Sequence, residues 1–371
     1  MLPNSRPIRT LFIIPDLSGG GSEKVLLTLL QALDRSRFIP TLVMTRGGGS
    51  LANQLPSDIV VCNLGASRSR YALIRLARIL WRLRPDAIVS MALHLTVLLA
   101  VLRPILPRGI RYFARQNIHP TAYVRDDRFR YWRQMMCLML PRMDRIICQT
   151  DEMLDDLANN FGIDPRLLIR IYNPVDRDAL HAAAKGPSPY RGPGPHLVSA
   201  GRLDHQKGFD VLLQAMNILK RRSIAVEVTI LGEGEEESKL RQMAIDLDIG
   251  SSVHFPGFQS NPYIYFKNAD AFVLSSRYEG LSNAMLEAIC LGTPMIAVDV
   301  PGGVREALRG SNAAWIAPRH NAEDLANAIA ECIRELPRVR ASGICHPMIG
   351  QMERWKILQC YEEVLSRCHC A

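Results

Sequence analysis

Residues 8–30 read IRTLFIIPDLSGGGSEKVLLTLL. Ile8 to Ile14 form a short apolar run that stops at Pro15; Gly19, Gly20 and Gly21 follow, then Ser22-Glu23 and the series Val25, Leu26, Leu27, Leu29 and Leu30. An apolar run of that length, bounded by proline, is a buried strand. The glycines make a tight loop, and apolar residues at three- and four-residue spacing make a helix. The unit recurs. Residues 40–44, 86–90, 111–114 and 145–148 read as strands, and 71–83 and 94–102 as helices. Short apolar strands alternating with helices imply parallel strands joined by helical crossovers.

The composition then shifts. Residues 185–195 (KGPSPYRGPGP) hold four prolines and three glycines, which no helix or central strand accommodates, so the stretch reads as a linker. Beyond it the alternation restarts, with strands at 196–200, 226–231, 253–255, 271–274 and 294–298 and helices that include 209–221 and 283–291. A final amphipathic helix is expected at about 351–367. The expected organisation is a first Rossmann-like domain over 1–184, the linker, and a second over 196–350, with the stretch 351–371 packing back on the first. Two doubly wound α/β domains would face each other across a cleft, with functional residues in loops just after strands.

The chain has 371 residues, enough for two domains at roughly 100–200 residues each. Hydrophobic residues make up 48% and charged residues 22%, which excludes a disordered or collagen-like chain. No apolar run reaches the roughly 18 residues of a membrane-spanning helix. The apolar stretch near the N-terminus is too short for a secretory signal core, so a cytoplasmic protein is expected. Nine scattered cysteines contain no Cys-x-x-Cys pair and read as free thiols; Cys368-His369-Cys370 lacks the second ligand cluster a metal site would need.

The net charge of +9 is uneven. Residues 1–185 carry 26 Lys and Arg against 15 Asp and Glu, and the remainder 19 against 21. Residues 68–84 (RSRYALIRLARILWRLR) place Arg75, Arg78 and Arg82 along one helical face, with Trp81 among leucines and isoleucines. A second arginine-rich stretch runs from Arg125 to Arg145 with Tyr131 and Trp132. Basic helices with interleaved aromatics suit an anionic membrane surface. The bland reading is that Leu73, Leu76, Leu80 and Leu83 pack on the sheet while the arginines are solvated. Nucleic acid is not expected, because no recognised motif is present.

Two constellations carry chemistry. Gly201-Arg202-Leu203-Asp204-His205-Gln206-Lys207-Gly208 follows the first strand of the second half. Arg202 and Lys207 lie in a glycine-flanked loop before a helix and can grip a diphosphate, the one with a planar fork and the other as a point charge. Glu279-Gly280-Leu281-Ser282-Asn283-Ala284-Met285-Leu286-Glu287 follows another strand. Ser282 or Asn283 is suited to cap the helix, whose free amides attract an anion, and Glu279 and Glu287 can accept hydrogen bonds from sugar hydroxyls.

With Gly19–Gly21, Tyr172-Asn173-Pro174-Val175-Asp176 and His254-Phe255-Pro256-Gly257-Phe258, these motifs in this order resemble the family 4 retaining glycosyltransferases of GT-B fold, and within them the branch that builds bacterial surface polysaccharides on lipid carriers. The resemblance covers nearly the whole chain. It implies that Arg202 and Lys207 bind the donor diphosphate and stabilise the leaving group, that Glu279 lies near the donor sugar, and that Glu287 holds the ribose hydroxyls. Backbone amides of Leu281, Ser282, Asn283 and Ala284 would meet the phosphate or sugar, Gly257 and Phe258 would lie beside the base, and Gly20 and Gly21 would let backbone approach donor or acceptor. It further implies a nucleoside-diphosphate sugar, UDP-linked by resemblance, as co-substrate, a lipid-linked or glycan acceptor, and retention at the anomeric carbon. With no nucleophile evident beyond Glu279, front-face attack is the expected course. Arg202 and Lys207 supply the charge a divalent ion otherwise would, so metal-independent activity without a cofactor is expected.

His94 follows the strand at 86–90 and is read as pointing to the cleft, with a histidine satisfied in a packing layer as the plain counter-reading; Arg115 and Asn117 occupy a similar loop. A nicotinamide-dependent oxidoreductase would need Gly-x-Gly-x-x-Gly after the first strand, and neither SGGGSE nor Leu231-Gly232-Glu233-Gly234-Glu235 supplies it. The other rivals are a non-catalytic sugar-nucleotide-binding protein and a GT-B enzyme acting on a small-molecule acceptor.

Overall fold

The computed structural model describes residues 6–66, 72–125, 130–192 and 194–366. The chain divides into two units, one of Met1–Pro174 with Arg354–Ala371 and the other of Val175–Glu353.

The first unit is built on seven strands: β1 (Ile8–Ile14), β2 (Phe38–Met44), β3 (Val60–Asn63), β4 (Ala87–Ser90), β5 (Arg111–Arg115), β6 (Arg145–Cys148) and β7 (Leu168–Arg170). All pair in parallel, in the order β3-β2-β1-β4-β5-β6-β7. The central strands are buried on both faces; Leu11, Phe12 and Ile13 are at most 1% exposed, each contributing roughly 1.5–3 kcal/mol of apolar burial. The helices are α1 (Gly21–Ala32), α2 (Leu73–Leu83), α3 (Leu93–Leu102), α4 (Pro120–Arg125), α5 (Trp132–Met139) and α6 (Asp151–Phe161). Leu76 and Leu80 of α2 are fully buried in the core, while Ile74, Arg78, Trp81 and Arg82 on its opposite face are exposed.

The second unit has six parallel strands, β8 (His196–Ala200), β9 (Glu227–Leu231), β10 (Val253–Gly257), β11 (Ala271–Leu274), β12 (Met295–Val298) and β13 (Ala314–Ala317), in the order β10-β9-β8-β11-β12-β13. Its helices are α7 (Arg177–Ala183), α8 (Phe209–Arg221), α9 (Glu237–Asp246), α10 (Tyr263–Asn268), α11 (Asn283–Cys290), α12 (Val304–Ala307) and α13 (Ala322–Ser342). Both sheets are thus doubly wound parallel sheets of Rossmann type.

The division between units falls at Pro174, not in the proline-rich stretch 185–195. The reason is α7, which packs against α10 and α11 and so belongs to the second unit although it precedes the prolines. After a short turn at Pro347–Gln351, α14 (Arg354–Ser366) returns to the first unit, starting three residues later than the amphipathic pattern suggests. There Glu362 accepts from the Asp34 amide at 3.1 Å and from Arg37 at 2.8 Å, and the Tyr361 hydroxyl accepts from Arg115 Nε at 3.2 Å. Cys368-His369-Cys370, Arg68 and Arg70 lie outside the described residues. Cys148, Cys290 and Cys332 are buried free thiols.

Candidate active site

In each sheet the strand order reverses beside the first strand. β2 and β4 flank β1, and β9 and β11 flank β8. Loops leaving the carboxyl ends of such neighbours run in opposite directions and open a crevice, the usual ligand position in open α/β sheets. The glycine loop at 19–21, the Arg202–Lys207 loop and the Glu279–Glu287 segment fall on these loops.

In the second unit the crevice lies between the β8 loop and the β11 loop. Asp204 caps a single helical turn at His205–Lys207, and Gly208 follows in the left-handed region (φ +64°). A Cβ on Gly208 would lie 2.2 Å from the Ser275 carbonyl oxygen, so only glycine lets the two loops meet so closely. Lys207 is thereby carried to the β11 side, where its Nζ donates to Glu279 Oε1 at 2.6 Å. Ser276 Oγ donates to the same oxygen at 2.6 Å. Both side chains of the pair are largely enclosed, at 18% and 7% exposure. Arg277 brackets the loops from behind: it donates to the His205 carbonyl and in bidentate fashion to Asp210 at 2.9 and 2.7 Å. Burial works against the Asp210 charge, but those hydrogen bonds outweigh it and hold the carboxyl below the usual range. His320 Nε2 lies 2.9 Å from the Ser275 carbonyl, and burial keeps its basicity below that of an ordinary histidine.

Arg202 does not join this pair. Its side chain is 72% exposed and its nearest carboxylate is Asp204 at 3.9 Å. The loop thus offers one cation already engaged with a carboxylate and one free to swing toward an incoming anion.

The second motif lies where the sequence puts it. Ser282 is the N-cap of α11, its hydroxyl accepting from the Met285 amide at 3.4 Å. Leu281 and Ser282 are buried, Asn283, Ala284 and Glu287 half-buried, and Glu287 sits one turn into the helix. The segment is braced from β12: Glu279 N donates to the Pro301 carbonyl at 3.2 Å and Gly303 N to that of Gly280 at 2.6 Å. The α11 amides and the Lys207–Glu279 pair are therefore held by the same loop, an arrangement that favours a negatively charged, hydroxyl-bearing ligand.

On the other side of β8, sequence reading missed a support. Leu231-Gly232-Glu233-Gly234-Glu235 fails as a dinucleotide motif, yet both of its glycines are required. A Cβ on Gly232 (φ +133°) would lie 1.9 Å from the Gly201 carbonyl oxygen, and one on Gly234 2.3 Å from that of Leu203. The two loops interlock through Leu203 N to Glu233 O at 2.9 Å and Glu236 N to Leu203 O at 2.9 Å. At the end of β10, Gly257 has φ +77°, the Phe258 amide lies 3.4 Å from Glu233 Oε1, and the Phe258 ring is 52% exposed. An exposed ring on a braced strand end can stack on a planar ligand.

The first unit repeats the pattern at β1 and β4. Gly20 caps α1 in extended conformation, and a Cβ there would lie 2.5 Å from Glu23 Oε2. The loop is pinned to the one after β2 by Leu17 N to Gly48 O at 2.9 Å and Leu51 N to Leu17 O at 3.0 Å. Arg46 pairs with Asp16 at 2.5 Å, and Asp16 also accepts from the Ser18 hydroxyl at 2.5 Å. His94 lies in the first turn of α3, close enough to Arg46 to feel its charge. Burial first, and Arg46 second, push its pKa below the ordinary histidine value. Gly20, Gly21 and His94 thus share the loop ends of this crevice.

Arg115, at the end of β5, is 2% exposed and is not itself a ligand group in this structure. Its guanidinium donates to Asn117, to Asn173 at 2.5 Å and to Tyr361, neutral groups all. Asn117 in turn donates to the Met91 carbonyl at the start of the loop that carries His94.

Two Asp-x-Asp triplets occur, and neither is built as a metal site. Asp176 of Asp176-Arg177-Asp178 accepts from the Ala179 amide as the cap of α7, and Asp248 of Asp246-Leu247-Asp248 pairs with Lys220 at 2.5 Å. No cluster of three or more candidate metal ligands occurs among the described residues.

Residues 19–179 match the family model described as Glycosyltransferase Family 4, and residues 185–341 that described as Glycosyl transferases group 1. Among curated relatives, the chain is 29% identical over 172 residues to an N-acetylgalactosamine-N,N'-diacetylbacillosaminyl-diphospho-undecaprenol 4-alpha-N-acetylgalactosaminyltransferase of Campylobacter jejuni, covering 46% of each chain. It is 30% identical over 194 residues to the lipopolysaccharide core biosynthesis glycosyltransferase LpsE of Rhizobium meliloti, covering 52% of this chain and 53% of that one. The alignments thus span about half the length of these relatives. Among solved structures, Anabaena HepE in complex with UDP and glucose superposes with a TM-score of 0.76 at 18% identity, covering 97% of this chain and 99% of that one. With both units matched and both sheets of Rossmann type, the chain belongs to the family 4 glycosyltransferases of GT-B fold, among relatives that serve bacterial polysaccharide biosynthesis.

Proposed function

We propose that the chain transfers a sugar from a UDP-linked donor to a lipid-linked or glycan acceptor, with retention at the anomeric carbon and without a metal ion. The observation that carries this reading is the Lys207–Glu279 pair at the strand-order reversal of the second sheet, on the loop that also presents the α11 amides. The Campylobacter relative, named for a diphospho-undecaprenol acceptor, and HepE, seen with UDP and glucose, support the acceptor and donor classes.

In this reading Lys207 and Arg202 meet the donor diphosphate. The bond between the anomeric carbon and the β-phosphate oxygen breaks while the acceptor oxygen bonds to the same face of the sugar. The departing phosphate takes the acceptor proton, and the two cations with the α11 amides stabilise the charge that develops on it. Glu279 orients Lys207 and accepts from a sugar hydroxyl. Glu287 takes the ribose hydroxyls, Phe258 lies against the base, and His94 offers a hydrogen bond at the acceptor side. A divalent ion would add positive charge where Lys207 already stands, so activity should survive a chelator.

The test is a thermal-shift panel with UDP, GDP, ADP and NAD on the wild type and on Arg202→Ala/Lys207→Ala. A ligand that binds only the folded state raises the midpoint by mass action. A shift with UDP that the double variant loses is the expected result. A shift with NAD alone would overturn the reading.

A further inference from the structure

The longest departure from charge balance in the chain is not at the candidate site. From Ile59 to Arg125 the sequence holds eleven arginines, no lysine and one acid, Asp86. Asp86 is already answered by Arg6 at 2.8 Å and Arg9 at 3.3 Å. Within this stretch α2 and the segment that follows α3 form a groove of about 640 Å³ with an apolar floor that includes Ala77 and Leu102. Ile74, Trp81 and Ile105 stand on its walls at 66%, 49% and 61% exposure. The Trp81 indole N–H donates to the Ile105 carbonyl at 3.1 Å, which joins helix and connection into one surface. Arg78 and Arg82 line the groove, with Arg84 and Arg108 exposed nearby in the chain. None of these four makes an ion pair among the described residues. Arg75, expected on the same face, instead donates to the Leu64 carbonyl at 2.6 Å.

We propose that this groove is a membrane-docking site, in which Ile74, Trp81 and Ile105 enter the acyl region of an anionic phospholipid bilayer while Arg78, Arg82 and Arg108 bind its phosphates. Large side chains left in water beside unpaired guanidiniums match the two layers of a membrane interface, hydrocarbon and headgroup. Charge complementarity selects this occupant over a second copy of the chain. A homotypic contact would set the arginines against one another with no free acid to answer them. The inference does not rest on sugar transfer, since bilayer binding needs neither donor nor acceptor.

The experiment is vesicle flotation of the purified chain, with phosphatidylcholine alone and with about one-third phosphatidylglycerol. The wild type is expected to float with the anionic vesicles and not with the neutral ones, and less at high salt. Arg78→Gln/Arg82→Gln/Arg108→Gln should weaken partition about a hundred-fold, as three basic residues at a charged surface imply. Ile74→Asp/Ile105→Asp should abolish flotation, and both variants should keep the wild-type thermal midpoint because the replaced side chains face solvent. Trp81 emission should shift to the blue on vesicle addition, read as the difference from Trp81→Phe. Equal binding to both vesicle types, or binding that neither variant weakens, would overturn the proposal. So would a dimer that Ile74→Asp/Ile105→Asp dissociates while the wild type stays off vesicles.

Discussion

The Lys207–Glu279 pair is the feature most open to measurement. Replacing Glu279 with Gln keeps the shape but leaves the Lys207 ammonium facing the Ser276 hydroxyl and an amide. Removing one partner of a buried ion pair costs about 3–5 kcal/mol. Lys207 is 18% exposed, so some water remains to it, and the low end, about 3 kcal/mol, applies. For a unit of this size each kcal/mol moves the midpoint by about 2–4 °C, so Glu279→Gln should lower the second unit's transition by roughly 6–12 °C. Lys207→Met should cost a similar amount, because it leaves a buried carboxylate without its cation, facing only the neutral Ser276 hydroxyl among the partners described. The double variant should lose far less than the sum of the two, with a coupling of about 2 kcal/mol. Differential scanning calorimetry of the four proteins gives the cycle. The ligand readout moves differently: Lys207→Met should abolish the UDP-induced shift, whereas Glu279→Gln should preserve it, since Lys207 is then free for the diphosphate, while removing turnover. Additive single effects would refute the idea that the pair is one unit. Equal loss of UDP binding in both variants would refute the division of labour between them.

Other outcomes follow from geometry already described. Gly232→Ala should destabilise the second unit by at least about 3 kcal/mol, because the new Cβ meets the Gly201 carbonyl and φ is +133°; an unchanged urea midpoint would contradict the packing. Phe258→Ala should leave stability within about 0.5 kcal/mol yet weaken the UDP shift, and a preserved shift would remove the ring from the base site. His94, whose folded pKa lies below the unfolded value near 6.5, binds fewer protons in the native state. Its contribution to stability is present above that value and falls away as pH drops below it, so His94→Gln should flatten the loss of midpoint between about pH 7 and 5. Parallel midpoint curves for the two proteins would speak against burial as the cause.

Most of the parallel strands are visible in the sequence because they are buried on both faces and read as apolar runs. The edge strands of the first sheet are not. β3 is Val60-Val61-Cys62-Asn63, largely exposed, and β7 has three half-buried residues, so neither carries a burial signal. The helix α13 hides behind Pro337 in its interior. Proline runs mislead at 185–195, where their conformational stiffness says nothing about which unit α7 packs against. At the site, Lys207, Glu279 and Ser282 are legible because motif residues sit next to strand ends. Ser276, Arg277 and Asp210 are not, since their importance comes from reach across β8 and β11, neighbours in space that lie far apart in the chain. Gly232 and Gly234 show in the sequence only as part of a dinucleotide motif that is not met; their need is steric and appears only when Gly201 and Leu203 are brought opposite.

The placement of α14 bears on how the protein is made. A ribosome delivers Pro174 roughly 180 residues before it delivers Arg354. At about 5–20 residues per second that interval lasts roughly 10–35 s. Throughout it the nascent first sheet lacks Tyr361 over Arg115 and Glu362 beside Arg37. The second sheet meanwhile emerges whole and can close on its own. The half of the chain that is translated first is therefore the half that matures last, and for that interval it is the natural client of a chaperone.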